Sequence, residues 1–278
     1  MLIGLRSRKH ITAFDVVRPT SIDECLSCWS EGKRVALIAG GLDLIDRMKT
    51  GKVFDTVLAL SGIPALKAME VREDRITIGA MTTHAMLAEA PLIVERLPDL
   101  AKLWREIANP RVRLTGTIGG NLMSALPHYD AMPALLALGA TATFADGRSG
   151  VQSVPLNELP VGNALLVNVA VPASSMRLVA DRSLHPHVSV YAGAQIVSNN
   201  VLSLRVAIGG AYAHPQVIAL PVEDLSQSSL GIQAAQFARM VVDALPEPLT
   251  DGFASSRYRL RMIEVLTRRL LVRLGAGS

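Results

Sequence analysis

The order in which strand and helix patterns follow one another changes along this chain of 278 residues, and the change constrains the fold more than any single motif. Near the N-terminus, the apolar segments Phe14–Arg18, Arg34–Ile38 and Val57–Leu60 alternate with two helical patterns. After Pro172, three strand patterns come first and two long amphipathic helices follow. A run of strands followed by helices is typical of the α+β class. We therefore predict an α+β fold.

The same change of pattern predicts the domain organisation. We expect a first domain over residues 1–173, made of two subdomains at about 1–60 and 61–173, and a second domain over residues 174–278. The second domain should contain an antiparallel sheet, because the polar pair Asn199-Asn200 forms a turn between two of its strand patterns. The strands are predicted at Met176–Val179, Val188–Val197 and Leu202–Ile208, and the helices at Ser229–Ala244 and Ser256–Leu274.

Local signals place further elements in the first domain. Ser21 and Glu24 form a capping box, which predicts a helix from residue 22 onward. Thr82 and Thr83 are candidate N-caps of another helix. The stretch Asn109–Pro127 contains three glycines, so we predict irregular structure there.

Two Gly-Gly segments are the strongest candidates for a ligand site. The first Gly-Gly segment, residues 39–44, lies between a predicted strand and a predicted helix, and the second Gly-Gly segment is residues 117–121. Glycine lets a ligand approach the backbone closely, and backbone N–H groups near a helix N-terminus suit a phosphate. We expect both segments to donate N–H groups to one diphosphate, with tight turns as the purely structural alternative. Neither segment has the glycine pattern of a Rossmann site or of a P-loop.

Hydrophobic residues make up 50% of the chain, which excludes a disordered protein and allows a sizeable core. The most apolar stretch, Ala131–Ala145, is shorter than the roughly 18–20 residues of a membrane-spanning helix and contains Pro133. The N-terminal segment Met1–His10 lacks the apolar region of a secretory signal. We therefore expect a cytoplasmic chain with no membrane span.

The net charge of +4 is only mildly basic, with 28 lysines and arginines against 24 acidic residues. Most of the excess lies in the last predicted helix, where Glu264 is the one acidic residue. Aromatic residues are only 4% of the chain, so the stacking side chains that often accompany a basic nucleic-acid surface are scarce. We predict no nucleic-acid partner, and we expect the arginines of this helix to face solvent or another subunit. They are Arg257, Arg259, Arg261, Arg268, Arg269 and Arg273.

The two cysteines, Cys25 and Cys28, are too few for a disulfide framework, a closed zinc site or an iron–sulfur cluster held by this chain alone. They lie on a helical pattern with Ile22, Leu26 and Trp29, which predicts a core face. A redox pair is the alternative, because the spacing is Cys-x-x-Cys. Histidines without metal-ligand spacing are predicted on loops or at strand ends, and they are His84, His128, His185, His187 and His214.

Seven motifs in a fixed order cover nearly the whole chain. They are residues 14–19 (FDVVRP), 39–44 (AGGLDL), 78–84 (IGAMTTH), 116–122 (GTIGGNL), 130–138 (DAMPALLAL), 204–215 (LRVAIGGAYAHP) and 256–270 (SRYRLRMIEVLTRRL). In these motifs the chain resembles the FAD-binding medium subunit of the molybdenum hydroxylases, the family of carbon monoxide dehydrogenase and xanthine dehydrogenase.

This resemblance implies a fold and a role. The fold would be a two-subdomain FAD-binding domain of the vanillyl-alcohol-oxidase-like (PCMH) type, followed by a C-terminal domain of the carbon monoxide dehydrogenase flavoprotein type. The chain would be an oxidoreductase subunit that takes electrons from the 2Fe-2S clusters of a small partner subunit onto non-covalently bound FAD and passes them to an external acceptor. A large partner subunit would hold the molybdopterin. The resemblance implies no catalytic acid or base and no metal site in this chain.

The resemblance also implies which residues hold FAD. Asp130 would bind ribose or ribitol hydroxyls, although as the first residue of a predicted helix it is also a candidate N-cap. Ile107 would lie near the flavin ring, and Leu166 near the adenine or the ring edge. Arg177 would contribute from the C-terminal domain, where Tyr191 would either cover the flavin face or pack in the core. The residues that would wrap the diphosphate are Ala39, Gly40, Gly41, Leu42, Asp43 and Leu44, and Thr117, Ile118, Gly119, Gly120 and Asn121.

Several positions depart from the family pattern. Leu42 follows the first Gly-Gly pair where a polar residue is usual, and Leu126 replaces a serine. Arg111 and Leu114 stand in place of a glutamine and an asparagine, and Leu178 in place of a lysine. These changes affect flavin-ring contacts more than diphosphate contacts. The alternatives to an electron-transfer subunit are therefore a non-catalytic scaffold that has lost tight FAD binding and a free-standing flavin oxidoreductase that uses NAD(P)H.

Overall fold

The computed structural model describes residues 10–29, 34–147, 150–158, 164–183 and 187–277. Within these ranges the strands form three sheets, of three, five and four strands. Helices connect the strands of the first sheet, pack against the second, and follow the strands of the third. The predicted α+β class is confirmed.

The first sheet is parallel and has the strand order β1-β3-β2. Parallel neighbours need crossover connections, which two helices supply here. The central strand is apolar because it is buried, with Val57 and Leu58 almost fully covered. The elements are β1 (Asp15–Val17), α1 (Ile22–Cys28), β2 (Val35–Ile38), α2 (Leu42–Lys49) and β3 (Thr56–Ala59).

Helix α1 begins where the capping box predicts. The hydroxyl of Ser21 accepts the N–H of Glu24 at 3.1 Å, and the Glu24 carboxylate accepts the N–H of Thr20 at 2.7 Å. Cys25 is fully buried, and this burial raises the pKa of its thiol to about 11. Cys25 and Cys28 are free thiols. The prediction of a core position is confirmed for Cys25, and a thiol of such high pKa is a poor redox nucleophile.

The second sheet is antiparallel and has the order β4-β5-β8-β6-β7. The pairing of β5 with β8 joins residues 75–79 to residues 168–172, so this sheet connects segments that are far apart in the sequence. Strand β7 forms an edge and is mostly exposed and polar, which is why no strand pattern marks it in the sequence. The strands are β4 (Met69–Arg72), β5 (Arg75–Gly79), β6 (Thr141–Asp146), β7 (Gly150–Pro155) and β8 (Leu165–Pro172).

Short helices fill the chain between β5 and β6. The prediction of irregular structure over Asn109–Pro127 is wrong, because two helices occupy most of it. The side chain of Asn109 caps the first of them by accepting the N–H of Val112, and the Thr117 hydroxyl caps the second by accepting the N–H of Gly120, both at 3.0 Å. The helices are α3 (His84–Glu89), α4 (Pro91–Arg96), α5 (Pro98–Glu106), α6 (Pro110–Thr115), α7 (Ile118–Ser124) and α8 (Ala131–Ala137).

The third sheet is antiparallel, as predicted, and has the order β12-β11-β10-β9. The three predicted strands are present, and the fourth, β12, adds an edge that the sequence analysis missed. The left-handed backbone of Ser198 and Asn199 forms the turn between β10 and β11. The elements are β9 (Met176–Arg182), β10 (Ser189–Val197), β11 (Asn200–Gly209), β12 (Gln216–Ala219), α9 (Gln227–Ala244) and α10 (Ser256–Gly275).

One continuous core joins the second sheet, the short helices and the third sheet. Trp104 of α5 and Leu135 of α8 are buried together with Val169 of β8 and with Tyr191 and Ala207 of the third sheet. Burial of such large apolar side chains stabilises the junction by roughly 1.5–3 kcal/mol per residue. Helices α5 and α8 are therefore held against β9 and β10.

The arginines of α10 do not all face outward. The prediction is wrong for Arg259, which is 2% exposed. Its Nη1 donates to the carbonyl oxygens of His187 and Gly210 at 2.7 and 2.8 Å, and its Nη2 donates to the Asp251 carboxylate at 2.6 Å. A buried guanidinium needs such partners, so Arg259 is a structural tie rather than part of a contact surface.

None of the helices in the described part of the chain combines the length and the apolar character that a membrane crossing requires.

Candidate functional site

The first Gly-Gly segment connects β2 to α2. Gly41 stands at the N-cap with φ +78°, a left-handed conformation that glycine adopts readily, and it offers no side-chain cap. No acceptor among the described residues receives the N–H groups of Leu42, Asp43 or Leu44. These unused donors lie at the positive end of the helix dipole, an arrangement that favours an anion such as a phosphate.

The two Gly-Gly segments lie side by side. A Cβ atom built on Gly40 would lie 1.9 Å from the carbonyl oxygen of Thr115, just before the second segment. A Cβ built on Gly120 would lie 3.9 Å from the Cβ of Ala39. Glycine at position 40 is therefore required by the close approach of two backbones, and the segments meet as the sequence analysis expects.

The second Gly-Gly segment differs from the expectation, because it is the start of helix α7 and the N–H groups of residues 118–121 are already used. Ile118 donates to the carbonyl oxygen of Thr82 and Gly119 to that of Ala80, both at 2.9 Å. Gly120 donates to the Thr117 hydroxyl at 3.0 Å. The prediction that this segment offers the same free backbone donors as the first is wrong.

Two buried polar side-chain atoms in or next to the second segment have no hydrogen-bond partner among the described residues. The Oδ1 atom of Asn121 is buried and has no hydrogen-bond partner among the described residues. The buried hydroxyl of Thr82, next to the same segment, is in the same situation. Buried polar atoms nearly always have partners in folded proteins, so these two atoms indicate a missing polar ligand or water. Together with the free amides of the first segment they fit a diphosphate-containing cofactor.

A cleft of about 170 Å³ opens where α5 and α8 meet β9 and β10. Asp130, at the start of α8, makes no side-chain cap bond, so the N-cap interpretation is wrong. Its carboxylate instead accepts a hydrogen bond from the hydroxyl of Tyr191 and lies 4.0 Å from the guanidinium of Arg182. The lining residues are Leu103, Glu106, Ile107, Asp130, Ala180, Asp181, Arg182 and Tyr191.

Electrostatics fix the proton on the tyrosine of this pair. Burial, with the neighbouring Asp130 carboxylate, raises the pKa of Tyr191 well above its ordinary value. Tyr191 therefore remains a donor and Asp130 an acceptor. The sequence suggested Tyr191 as a possible flavin contact, but it gave no sign of Arg182, Asp181 or Glu106, which reach the cleft only through the register of β9 and the end of α5.

Of the four predicted site residues outside the Gly-Gly segments, two line the cleft and two do not. Ile107 and Asp130 line the same cleft. Leu166 is 3% exposed in β8, opposite Phe144, and is not among the described lining residues. Arg177 extends from β9 towards α5, where its Nε donates to the Asp99 carboxylate at 3.0 Å.

No histidine is among the described residues that line the cleft. His84 is 2% exposed, its Nδ1 accepts the indole N–H of Trp104 at 3.1 Å, and burial lowers its pKa to about 4. It is therefore neutral at pH 7. His187 stacks on Phe253, and His185 lies outside the described residues. The described residues contain no group of three side chains suited to a metal ion.

A strand-to-helix turn with unused N–H donors beside a second glycine segment, in a chain that also has a mixed polar and apolar cleft, is typical of a nucleotide-cofactor-binding domain. A protein-family model described as "FAD binding domain in molybdopterin dehydrogenase" matches residues 12–174. The carbon monoxide dehydrogenase medium chain of Hydrogenophaga pseudoflava is 32% identical over 280 residues, which cover 93% of this chain and 96% of that one. The chain belongs to this family of FAD-binding subunits, and the suspected resemblance is confirmed.

Further relatives cover the whole chain. The nicotine 6-hydroxylase medium subunit of Paenarthrobacter nicotinovorans is 26% identical over 289 residues, 96% of this chain and 99% of that one. The solved structure of quinoline 2-oxidoreductase from Pseudomonas putida 86 superimposes with a TM-score of 0.82 at 23% identity, covering 96% of this chain and 99% of that chain. The predicted fold type is confirmed, and so are the predictions of FAD as cofactor and of an oxidoreductase subunit.

Proposed function

We propose that this chain is the electron-transfer subunit of a molybdenum-containing hydroxylase or dehydrogenase. In this proposal it accepts electrons from the 2Fe-2S clusters of a small partner subunit and passes them through FAD to an external acceptor, while a large partner subunit holds the molybdopterin. The observation that carries the proposal is the set of unused N–H donors at residues 42–44, at the N-terminus of α2. These groups suit a diphosphate held by neutral, preorganised donors.

The residues of this chain bind and orient the cofactor. Bound FAD supplies the capacity to take up electrons and to release them to another acceptor. The amides of the first Gly-Gly segment hold its diphosphate, and the unpartnered Oδ1 of Asn121 accepts a hydrogen bond from a hydroxyl or N–H group of the cofactor. Asp130 accepts a hydrogen bond from a sugar or ribitol hydroxyl, and Ile107 and Tyr191 provide the apolar surface for the ring. No Cys or His lines the cleft among the described residues, which supports non-covalent binding.

The composition supports placing the metal clusters in partner subunits. The chain has two cysteines, and one of them is fully buried with a raised pKa. Two 2Fe-2S clusters would need about eight ligands. Apolar side chains near the Gly-Gly segments are exposed, which suits contact with a partner. They are Leu42, Leu114, Met123 and Leu126. The cytoplasmic location stays a prediction.

A scaffold that binds no FAD is the second candidate function. The observation that favours it is the second Gly-Gly segment, in which the N–H groups of residues 118–121 are used within the protein. Titration of the purified full-length chain with FAD distinguishes the two. We expect saturable binding of one FAD per chain, measured by flavin fluorescence and the visible spectrum. Absence of saturable binding would establish the scaffold and refute the electron-transfer role.

Asp130→Asn tests the cleft. The asparagine keeps an Oδ1 acceptor for Tyr191 but loses the charge that strengthens a bond to a cofactor hydroxyl. A charge-assisted hydrogen bond is worth roughly 1.5–3 kcal/mol, so we expect about ten- to a hundredfold weaker FAD binding with a nearly unchanged thermal midpoint of the flavin-free chain. Glu106→Gln removes a charge from the same cleft and serves as the control. Equal effects of the two variants would show that Asp130 acts only through the cleft's charge.

A further inference from the structure

Arg113 of helix α6 reaches across to the end of helix α5 and holds two consecutive carbonyl groups. Its Nη1 donates to the carbonyl oxygen of Ile107 at 2.8 Å and to that of Ala108 at 3.0 Å. Ile107 is 5% exposed and lines the cleft described above. One guanidinium nitrogen therefore fixes the backbone directly behind a cleft-lining side chain.

The backbone that Arg113 holds is strained. Ala108 has φ +48°, in the left-handed region that costs a residue with a Cβ atom roughly 1–2 kcal/mol. Such a conformation persists only when surrounding contacts over-determine it, and it often marks a functional site. The two hydrogen bonds from Arg113 hold the carbonyl groups on either side of the Ala108 N–Cα–C unit, and the side chain of Asn109 fixes the next residue as the cap of α6.

These two hydrogen bonds, called the Arg113 clamp below, also determine the direction in which two backbone N–H groups point. In a planar trans peptide the N–H is directed opposite to the C=O. The N–H groups of Ala108 and Asn109 belong to the two peptides whose carbonyls face Arg113, so they point away from it. Neither N–H meets an acceptor among the described residues. Two neighbouring unused donors, next to a cleft-lining side chain, suit the carbonyl oxygens of a flavin ring.

We propose that Arg113 is a positioning residue for the flavin ring: it holds the Ile107–Ala108 backbone so that the Ile107 side chain and the N–H groups of Ala108 and Asn109 meet the ring. This inference rests on the proposed FAD-binding function. It assigns Arg113 no contact with the cofactor, because its guanidinium is engaged on the opposite side of the backbone. Hydrogen bonds to the ring's carbonyl oxygens stabilise the electron-rich reduced flavin more than the oxidised one.

Three variants of the full-length chain test the proposal. Arg113→Met removes the clamp. Arg113→Lys can restore it, because both bonds come from a single nitrogen. Arg111→Met is the matched control, since Arg111 lies on the same helix, is exposed and makes no side-chain hydrogen bond among the described residues. For each variant we would measure the FAD dissociation constant, the spectrum and midpoint potential of bound flavin, and the thermal midpoint without flavin.

We expect Arg113→Met to bind FAD at least tenfold more weakly and to lose a further tenfold in its preference for reduced flavin. The second loss is a fall in midpoint potential of about 30 mV for a two-electron couple. Arg113→Lys should recover most of both, and Arg111→Met should match the wild type. A lower thermal midpoint with an unchanged spectrum and potential would mean a purely structural arginine and overturn the proposal. Failure of the wild type to bind FAD would instead refute the proposed function itself.

Discussion

The two Gly-Gly segments share a glycine pair near the start of a helix, but their backbone N–H groups are used differently. In the first, Gly41 ends a strand connection and the amides that follow have no acceptor. In the second, the amides of Ile118 and Gly119 are donated to Thr82 and Ala80 before any ligand is present. The first segment is a donor surface, and the second is a packing and anchoring element that presents side chains.

The difference arises from what lies in front of each helix. Thr83 and Thr117 form an isolated antiparallel bridge, which brings the chain before α3 against the first turn of α7. No such neighbour covers the first turn of α2 among the described residues. Both glycine pairs meet protein backbone closely, Gly40 against Thr115 and Gly119 against Ala80, but only the first segment leaves amides free for the proposed cofactor.

The largest effect is expected from Gly40→Ala, which strikes the contact between the segments. Its Cβ would lie 1.9 Å from the Thr115 carbonyl oxygen, and neither backbone can yield cheaply. We expect the free energy of unfolding to fall by about 3 kcal/mol, the upper end for an overpacked site, with FAD binding lost. Urea unfolding and FAD titration measure both. Gly252→Ala, where a Cβ meets nothing within 4 Å, is the control; equal stability of the two variants would mean that the segments do not touch.

A somewhat smaller fall in the free energy of unfolding is expected at acidic pH, because of His84, which is hydrogen-bonded to the backbone just before the second segment. The N–H of His84 donates to Gly116 at 2.9 Å, and burial lowers the pKa of the His84 ring from 6.5 to about 4. The unfolded chain therefore binds the proton more readily than the folded one, so stability is complete above pH 6.5 and falls as the pH drops towards 4. At pH 4.5 the loss is about 2.5 kcal/mol.

His84→Asn isolates this loss, because it keeps an acceptor near Nδ1 for Trp104 and removes the titration. The difference in unfolding free energy between wild type and variant should shrink by about 2.5 kcal/mol from pH 7 to pH 4.5. A difference that does not depend on pH would show that His84 titrates normally in the folded chain.

The smallest effects separate the two glycines of the second segment. A Cβ on Gly119 would lie 2.8 Å from the Ala80 carbonyl oxygen, so Gly119→Ala should cost about 1–2 kcal/mol. A Cβ on Gly120 would lie 3.0 Å from the Thr117 hydroxyl and in ordinary contact with Ala39 at 3.9 Å, and alanine favours the helix. Gly120→Ala should therefore change the unfolding free energy by less than about 1 kcal/mol. If urea unfolding showed a larger loss for Gly120→Ala than for Gly119→Ala, the close contact of α7 would be at Gly120 and not at Gly119.

Elements decided by nearby residues were predictable from the sequence. The start of α1 follows from Ser21 and Glu24, three residues apart, and the β10–β11 turn, at Ser198 and Asn199, lies one residue before the predicted pair Asn199-Asn200. Helix α7 was missed because Gly119 and Gly120 disfavour a helix locally, while hydrogen bonds from the N–H groups of Ile118 and Gly119 to Thr82 and Ala80 stabilise it. Tertiary contacts overrode propensity there.

Buried charges and the cleft also depend on contacts between residues that are distant in the sequence. Arg259 looked like its exposed neighbours on α10, and its partners Asp251, His187 and Gly210 come from three separate segments. Ile107 and Asp130 were brought to one cleft as the family position implied. Arg182 reaches the cleft through strand register, which no local pattern reveals.

Because β8 is made long after the first sheet, the first sheet cannot be covered until late in the synthesis of the chain. Strands β1 to β3 lie within residues 15–59, whereas Arg75 pairs with Pro172, and Leu165 and Val167 of β8 also cover Cys25 beneath the first sheet. At about 5–20 residues per second, the ribosome delivers β8 roughly 5–20 s after β3. During that interval the nascent first sheet exposes an apolar face, a natural target for chaperones. Proteolysis of stalled nascent chains should show protection of the first sheet only once β8 has emerged.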